Sequence, residues 1–178
     1  MSGPRPDRRP PAAEFFRTPR LVFRPFAPQD LDDLARVAGD PEVVRHTDDG
    51  RPLDRDICAL WIARSRANVA KFGYGTGALT DRGSGRFVGW AGFARPEGGP
   101  EEIIYGFETP AWGRGLGSEI VGGLVRYAFE TLNLPEIRAT VHDANVASRR
   151  ILLKAGFERR PWPETAACLY VLANPAAG

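Results

Sequence analysis

Hydrophobic positions follow strand and helix periods from about residue 20 onward. The run Arg20–Arg24 alternates as a strand does, and Pro25 ends it. Two segments with helical spacing follow, at about residues 30–37 and 54–71. On the longer helix we expect one buried face, formed by Ile57, Leu60, Trp61, Arg64 and Ala67.

The middle of the chain has the pattern of an antiparallel meander, because tight turn sequences join successive strand-like runs. These runs are residues 75–80, 86–93 and 102–108. A glycine-rich turn then opens a helix that reaches about residue 132. The last predicted elements are a strand at 137–141, a helix at 145–154 that Gly156 ends in a left-handed cap, and a strand at 169–172.

This order predicts an α/β fold, an α+β three-layer sandwich in which helices flank a mixed, mostly antiparallel central sheet. We expect one domain over residues 18–174, with no internal repeat. Residues 1–17 are rich in Pro and Arg and have no periodicity, so we predict that they form a disordered tail.

Composition narrows the class of protein. The chain has 178 residues, 43% of them hydrophobic and 26% charged, as in an ordinary soluble domain. No apolar stretch approaches the roughly 20 residues of a membrane span, and residues 1–19 lack the apolar core of a secretory signal. We therefore expect a cytoplasmic protein without membrane partners.

Charge gives no case for nucleic-acid binding by the folded body. Residues 1–20 hold five Arg against Asp7 and Glu14, and the rest of the chain carries 19 basic and 20 acidic side chains. Cys58 and Cys168 are too few for a metal cluster, and we expect both to be small core residues.

The most informative segment is Tyr105–Glu119, in which a strand leads through a glycine-rich turn directly into a helix. The first amides of a helix lack intrahelical acceptors and favour anions. Gly113, Gly115 and Gly117 permit close approach, and Arg114 adds positive charge, which predicts a pyrophosphate site. The segment is no P-loop, because no Lys follows the glycines, and its third glycine comes one residue too early for a Rossmann fingerprint.

A second motif lies at residues 142–157, with Asn145, Ser148, Lys154 and Gly156 in a fixed spacing. Together with the glycine loop it resembles the GNAT superfamily of N-acetyltransferases, and in particular the branch that acetylates the N-termini of ribosomal proteins (RimJ/RimL-like). The loop resembles the family's Gln/Arg-x-x-Gly-x-Gly/Ala pattern. The further resemblances are Glu102–Tyr105, similar to Glu-Ile-Gly-Tyr in the strand before the loop, and the opening Thr18–Leu21.

The resemblance covers about residues 18–172 and implies that acetyl-CoA is the co-substrate, with no metal. It places the pantetheine arm in a splay between the strand ending at Phe107 and the following strand. The implied cofactor contacts are Phe107, Thr109, Gly113, Arg114, Gly115, Leu116, Gly117, Ser118, Asn145 and Ser148.

Acetyl transfer to an amine needs a neutral amine, donors for the oxyanion and a proton for the leaving thiolate. By resemblance Glu102 is the first candidate for the base, with Glu108 second and His142 third. Many members carry a Tyr seven residues after the motif's Asn, where this chain has Leu152, so Ser148 becomes the candidate acid. Two alternatives remain open: that Glu102 is a surface charge at the edge of a strand, and that Ser148 is an ordinary residue of the first helical turn.

The acceptor stays open among a protein N-terminus, a polyamine, an amino acid and an aminoglycoside. The alternatives to an enzyme are a catalytically silent acyl-CoA-binding module and a structural or nucleic-acid-associated protein that uses the Arg-rich tail. The oligomeric state stays open between a monomer and a homodimer. Buried core is the expected place for most of the tryptophans, Trp61, Trp90, Trp112 and Trp162, with an acceptor pocket as the alternative.

Overall fold

Strands and helices occur in groups along the chain in the computed structural model, which describes residues 14–47, 49–94, 100–162 and 167–177. The helices are α1 (Leu31–Ala38), α2 (Pro41–Val44), α3 (Arg55–Phe72), α4 (Leu116–Arg126) and α5 (Val146–Lys154). The strands are β1 (Phe16–Arg17), β2 (Leu21–Pro25), β3 (Thr76–Asp81), β4 (Phe87–Ala94), β5 (Glu102–Phe107), β6 (Glu136–His142), β7 (Glu158–Arg160) and β8 (Ala167–Ala173). A π-helical turn, Tyr127–Thr131, extends α4.

The strands form one sheet in the order β1-β2-β3-β4-β5-β6-β8-β7. Neighbours are antiparallel except β5 and β6, which are parallel and share the pair Glu102 and Arg138. The predicted fold class, a mixed and mostly antiparallel sheet flanked by helices, is confirmed. As predicted, Gly156 ends α5 in the left-handed region, with φ of 94°.

Each face of the sheet packs against its own set of helices, because alternate strand residues point to opposite faces. On the α4/α5 face, Ile120, Leu124 and Leu152 are fully buried with residues of β5, β6 and β8. On the α1–α3 face, Leu34 and Ile62 pack with a second cluster that includes Trp90. None of the helices in the described ranges is long and apolar enough to cross a membrane.

The predicted buried face of α3 is wrong. Ile57 and Leu60 are 47% and 49% exposed, and the buried residues are Cys58, Ile62 and Ser65. Ser65 is polar, yet it is buried because its hydroxyl pairs with the hydroxyl of Thr76 on β3.

The predicted disordered tail extends too far into the chain. Residues 1–13 lie outside the described residues, but Phe16–Arg17 form β1 and pair with β2. The rings of Phe15 and Phe16 lie 4.6 and 5.2 Å from that of Phe23. Aromatic burial therefore fixes the end of this segment, which the Pro/Arg-rich composition before it concealed.

Phe16 also contacts α4 at a position where a side chain is excluded. A methyl group on Gly123 would lie 2.5 Å from a ring carbon of Phe16. The ring therefore fills the space that this glycine leaves open, and it joins the start of the fold to the helix that follows the glycine-rich loop.

We expect Phe16→Ala to lower the free energy of unfolding by about 2 kcal/mol, because it removes a large, partly buried ring. Arg17→Ala on the same strand is the matched control and should change stability by less than about 0.5 kcal/mol, since its ion pair with Glu14 is exposed. Urea denaturation measures both variants. Equal stability of Phe16→Ala and the parent would show that β1 does not support the fold.

Candidate active site

A cleft opens where β5 and β6 diverge. Their register contains the single pair Glu102 and Arg138, and Arg138 N donates to the carbonyl of Glu101 over 2.9 Å. Two residues further along β6, the amide of Thr140 donates to Glu102 Oε1 over 2.9 Å. The Glu102 carboxylate thus replaces a backbone acceptor at the point where the two strands separate, which is the apex of the cleft. The opening beyond the apex has a volume of about 840 Å³.

This cleft passes through the sheet and reaches both faces. Alternation along β5 sends Tyr105 towards the α4/α5 face, where it packs against that core. Ile104 packs instead with the core of the α1–α3 face, and Glu102 has the same parity as Ile104. All three residues line the cleft.

On the α4/α5 face, two hydroxyl groups meet at the cleft. Tyr105 Oη lies 2.6 Å from Ser148 Oγ, and Asn145 caps α5 by accepting the amide of Ser148 over 3.1 Å. Burial raises the pKa of Tyr105, although the hydrogen bond with Ser148 acts in the opposite direction. The phenol is therefore protonated at neutral pH and can donate to Ser148.

Tyr105 is the site residue that sequence reasoning missed as a functional group. Leu152 occupies the position of the family's usual Tyr, and its side chain is fully buried in the core. A phenol reaches the cleft from β5 instead, 43 residues before Ser148. The alternation of Ile103, Tyr105 and Phe107 on one face of the strand was the available signal.

The glycine-rich loop presents an uncapped helix end. Gly113 and Gly115 have φ of 70° and 78°, a region that favours glycine. Gly115 is the N-cap of α4 and makes no side-chain cap bond, so the amides of Leu116–Ser118 have no intrahelical acceptor. Nothing lies within 4 Å of a Cβ built on Gly113. The loop thus fits a pyrophosphate group in charge, hydrogen-bonding capacity and space.

Gly117 has a different physical reason to be glycine. A Cβ there would lie 2.7 Å from Ile151 Cδ1. Its small size therefore permits α4 to pack closely on α5, in addition to any contact of its amide with an anion.

The N-terminal segment holds the start of α4 in place. Glu119 Oε1 accepts from the hydroxyl of Thr18 and the amide of Arg20, over 2.6 and 2.8 Å. Arg20 in turn forms an ion pair with Glu119 over 2.7 Å and donates to the carbonyl of Arg114 over 2.8 Å. The segment Thr18–Leu21, which resembles the family in sequence, thus holds the glycine-rich loop and the start of α4 together.

The end of β5 is tied to the same loop by Trp112. Its indole Nε1 donates to the carbonyl of Phe107 over 2.9 Å, and its amide donates to the carbonyl of Thr109 over 3.1 Å. Phe107 and Thr109 therefore lie where β5 and the loop meet. Trp112 is half exposed, and of the four tryptophans Trp90 alone is fully buried as expected.

Glu108 has the environment of a structural carboxylate and not that of a base. It is buried and pairs with Arg86 over 2.5 Å and Arg36 over 2.9 Å. Burial acts to raise the pKa of Glu108, but these two arginines outweigh it and lower the pKa. The carboxylate is held ionised between two cations, which disfavours proton uptake.

Two imidazoles face each other on the α1–α3 side of the cleft. The rings of His46 and His142 are stacked with centroids 5.6 Å apart, and His142 Nδ1 accepts the amide of Ala144 over 3.2 Å. Burial, with the charges of Arg45 and His142, lowers the pKa of His46. Both histidines line the cleft.

The cysteines lie outside this chemistry. Cys58 and Cys168 are free and buried, as predicted from their apolar surroundings in sequence. Within the described ranges, no three His, Cys, Asp or Glu side chains form a group that could hold a metal ion.

Comparison with known proteins gives one consistent family. The Acetyltransferase (GNAT) domain family matches residues 20–158. The FsC-acetyl coenzyme A-N(2)-transacetylase of Aspergillus fumigatus is 30% identical over 151 residues, which are 78% of this chain and 63% of that protein. The match thus spans less than two thirds of that relative. The uncharacterized N-acetyltransferase p20 of Bacillus licheniformis is 29% identical over 82% of this chain and 83% of its own.

Comparison with solved structures gives the same fold. An acetyltransferase of Agrobacterium tumefaciens superposes with a TM-score of 0.76 at 25% identity, covering 95% of this chain and 99% of its own. RimL, a ribosomal L7/L12 α-N-protein acetyltransferase solved with coenzyme A, shares the fold with a TM-score of 0.76 at 12% identity, covering 92% and 99%. The resemblance in the sequence motifs is confirmed: the chain belongs to the GNAT family of acetyltransferases.

Proposed function

We propose that this acetyltransferase moves the acetyl group of acetyl-CoA directly onto a primary amine, with both reactants bound in the cleft together. The carrying observation is that the cleft crosses the sheet, with the Tyr105 and Ser148 hydroxyls on one face and Glu102 at the apex towards the other. The proposed proton acceptor for the amine, Glu102, and the proposed proton donor for the thiolate, Ser148, thus approach the acetyl carbon from different sides. Positioning both reactants supplies much of the rate acceleration.

Acetyl-CoA, when bound, supplies an activated thioester. The amides of Leu116, Gly117 and Ser118 and the charge of Arg114 would hold its pyrophosphate, on a turn shaped by Gly113 and Gly115. The residues that would line its pantetheine arm are Phe107, Thr109, Asn145 and Ser148.

Glu102 is the proposed general base. One of its carboxylate oxygens is fixed by the amide of Thr140, which orients the second oxygen to accept a proton from the ammonium group, directly or through water. Deprotonation frees the nitrogen lone pair, and the N–C bond then forms as the C–S bond breaks. The nitrogen releases its second proton to solvent as the amide forms, and solvent returns one proton to the acid that protonates the sulfur. The hydrogen bond to Thr140 therefore positions the base and also closes the apex.

Ser148 is the proposed acid. It gives its hydroxyl proton to the departing sulfur and takes one from Tyr105, whose phenol is protonated because burial raises its pKa. Tyr105 acts through Ser148 and is a positioning residue in this scheme.

Relatives support an amine as the acceptor. The name of the Aspergillus fumigatus relative specifies an N(2) acetyl transfer, and that of RimL specifies a protein N-terminus. A catalytically silent module would bind acetyl-CoA as well but would release no CoA thiol, so thiol release with an amine panel tests the proposal.

Acetyl-CoA should raise the melting temperature, by an amount equivalent to about 2.7 kcal/mol at 100 times its dissociation constant. Arg114→Glu should weaken its binding about tenfold or more, because the reversed charge lies beside the proposed pyrophosphate site. Arg126→Glu, the same charge change at the other end of α4, should leave affinity nearly unchanged. No thermal shift at millimolar acetyl-CoA would contradict the proposed site.

Ser148→Ala and Tyr105→Phe should each lower kcat, Ser148→Ala by about 10²-fold, the usual scale for a positioned donor. The KM for acetyl-CoA should stay within a few-fold. The double variant should be little slower than Ser148→Ala, because residues that act as a unit are not additive. Steady-state kinetics measure all three. Fully additive losses would separate Tyr105 from Ser148, and near-parental turnover of Ser148→Ala would remove it from the mechanism.

Glu102→Gln should lower kcat by about 10²-fold with little change in melting temperature, because the amide oxygen of Gln can still accept from Thr140. Glu102→Ala removes both functions and should also lower the melting temperature. A kcat of Glu102→Gln equal to that of the parent would show that Glu102 has only a structural role at the apex.

A further inference from the structure

The α1–α3 side of the cleft has an apolar wall. Five apolar residues of the described lining form this wall, from α2, α3, the segment between these helices and β5: Val44, Leu53, Ile57, Trp61 and Ile104. The polar lining residues His46, Thr47, Asp49 and Arg51 come from the segment between α2 and α3 and lie outside the wall as defined. Ile57 stands out because it is 47% exposed although it is aliphatic, so its side chain is available to a bound molecule.

This wall has little capacity for hydrogen bonding by side chains. Trp61 is its one member with a polar side-chain atom, and Trp61 Nε1 already donates to Thr76 Oγ1 over 3.1 Å. A polar group placed against these five side chains would lose hydrogen bonds to water without replacement by the wall, so the wall favours an apolar group in contact with it.

The charges around the cleft suit one ammonium group. The carboxylates among its described lining residues are Glu102 and Asp49. Asp49 lies 3.6 Å from Arg51, and both side chains are largely exposed to solvent. Glu102 is therefore the one carboxylate among the described lining residues that has no cationic partner given by the structure, and further ammonium groups of a polycation would find no second such carboxylate there.

We propose that the acceptor is a small monoamine whose nitrogen faces Glu102 and whose carbon skeleton is an apolar group packed on Ile57 and its neighbours. The opening of about 840 Å³ has the size of a small-molecule site. It is shared with the end of the acyl donor, so the room left for the acceptor is modest. This inference rests on the proposed function of the same cleft.

The first test compares three probes at saturating acetyl-CoA by CoA-thiol release: 2-phenylethylamine, spermidine and a tetrapeptide with an N-terminal leucine. We expect kcat/KM for 2-phenylethylamine to exceed that of either other probe by about tenfold or more. A preference for spermidine or for the peptide overturns the inference, the first in favour of a polycation and the second in favour of a protein N-terminus.

The second test uses two residues on one helix. Ile57→Asp places a carboxylate on the wall and should lower kcat/KM for 2-phenylethylamine about tenfold or more, while it raises the relative activity with spermidine. Leu60→Asp is the matched control, because Leu60 is 49% exposed on α3 and does not line the cleft. Equal effects of the two substitutions would show that Ile57 does not contact the acceptor.

Calorimetry separates this inference from the proposed function. If none of the three amines releases thiol, acetyl transfer to an amine has failed, and 2-phenylethylamine is titrated into the protein saturated with CoA. Binding that Ile57→Asp weakens about tenfold and Leu60→Asp does not supports the apolar wall as a monoamine site. Absence of binding, or binding that both variants weaken alike, overturns it.

Discussion

The structure depends on the loss of backbone pairing between β5 and β6 after one residue pair. Unpaired backbone groups in a sheet interior are costly, and the fold meets part of that cost by the hydrogen bond from Thr140 to Glu102. The remaining edges of the two strands form a slot for an extended molecule, which can add its own hydrogen bonds as a strand would.

The parallel direction of β5 and β6 determines where the uncapped start of α4 lies. Parallel neighbours need a crossover connection, and here α4 provides it. The N-terminus of a crossover helix lies beside the carboxyl end of the strand before it, so the uncapped amides of α4 come to the end of β5. Trp112 and Arg20 then fix the loop between them by hydrogen bonds to main-chain carbonyls. One topological constraint thereby brings a helix end and a cleft together.

Sequence patterns were sufficient for the six longer strands of the sheet, the crossover helix and the cap of α5, because each depends on local periodicity or on glycine and asparagine at fixed spacing. They failed where a tertiary contact decided the outcome. On α3 the buried face is formed by Cys58, Ile62 and Ser65, and the contact of Ser65 with Thr76 on β3 cannot be recognised from the spacing of apolar residues. Short β7 and α2 lack enough residues to show a period. The Tyr105–Ser148 pair joins distant segments, and no local pattern reports it.

The sheet also separates two kinds of specificity. The hydroxyl pair and the glycine loop belong to β5, α4 and α5, whose side chains form one core. The apolar wall comes from α2, α3, the segment between them and Ile104 of β5, and apart from Ile57 its members pack with the other core. Ile57 is exposed and lies outside the first core, so under the proposed function we expect a substitution there to change acceptor preference while donor binding is retained. Glu102 is the point where the halves meet, because its carboxylate belongs to β5 and its hydrogen bond fixes β6. We therefore expect a substitution of Glu102 to affect both faces of the cleft.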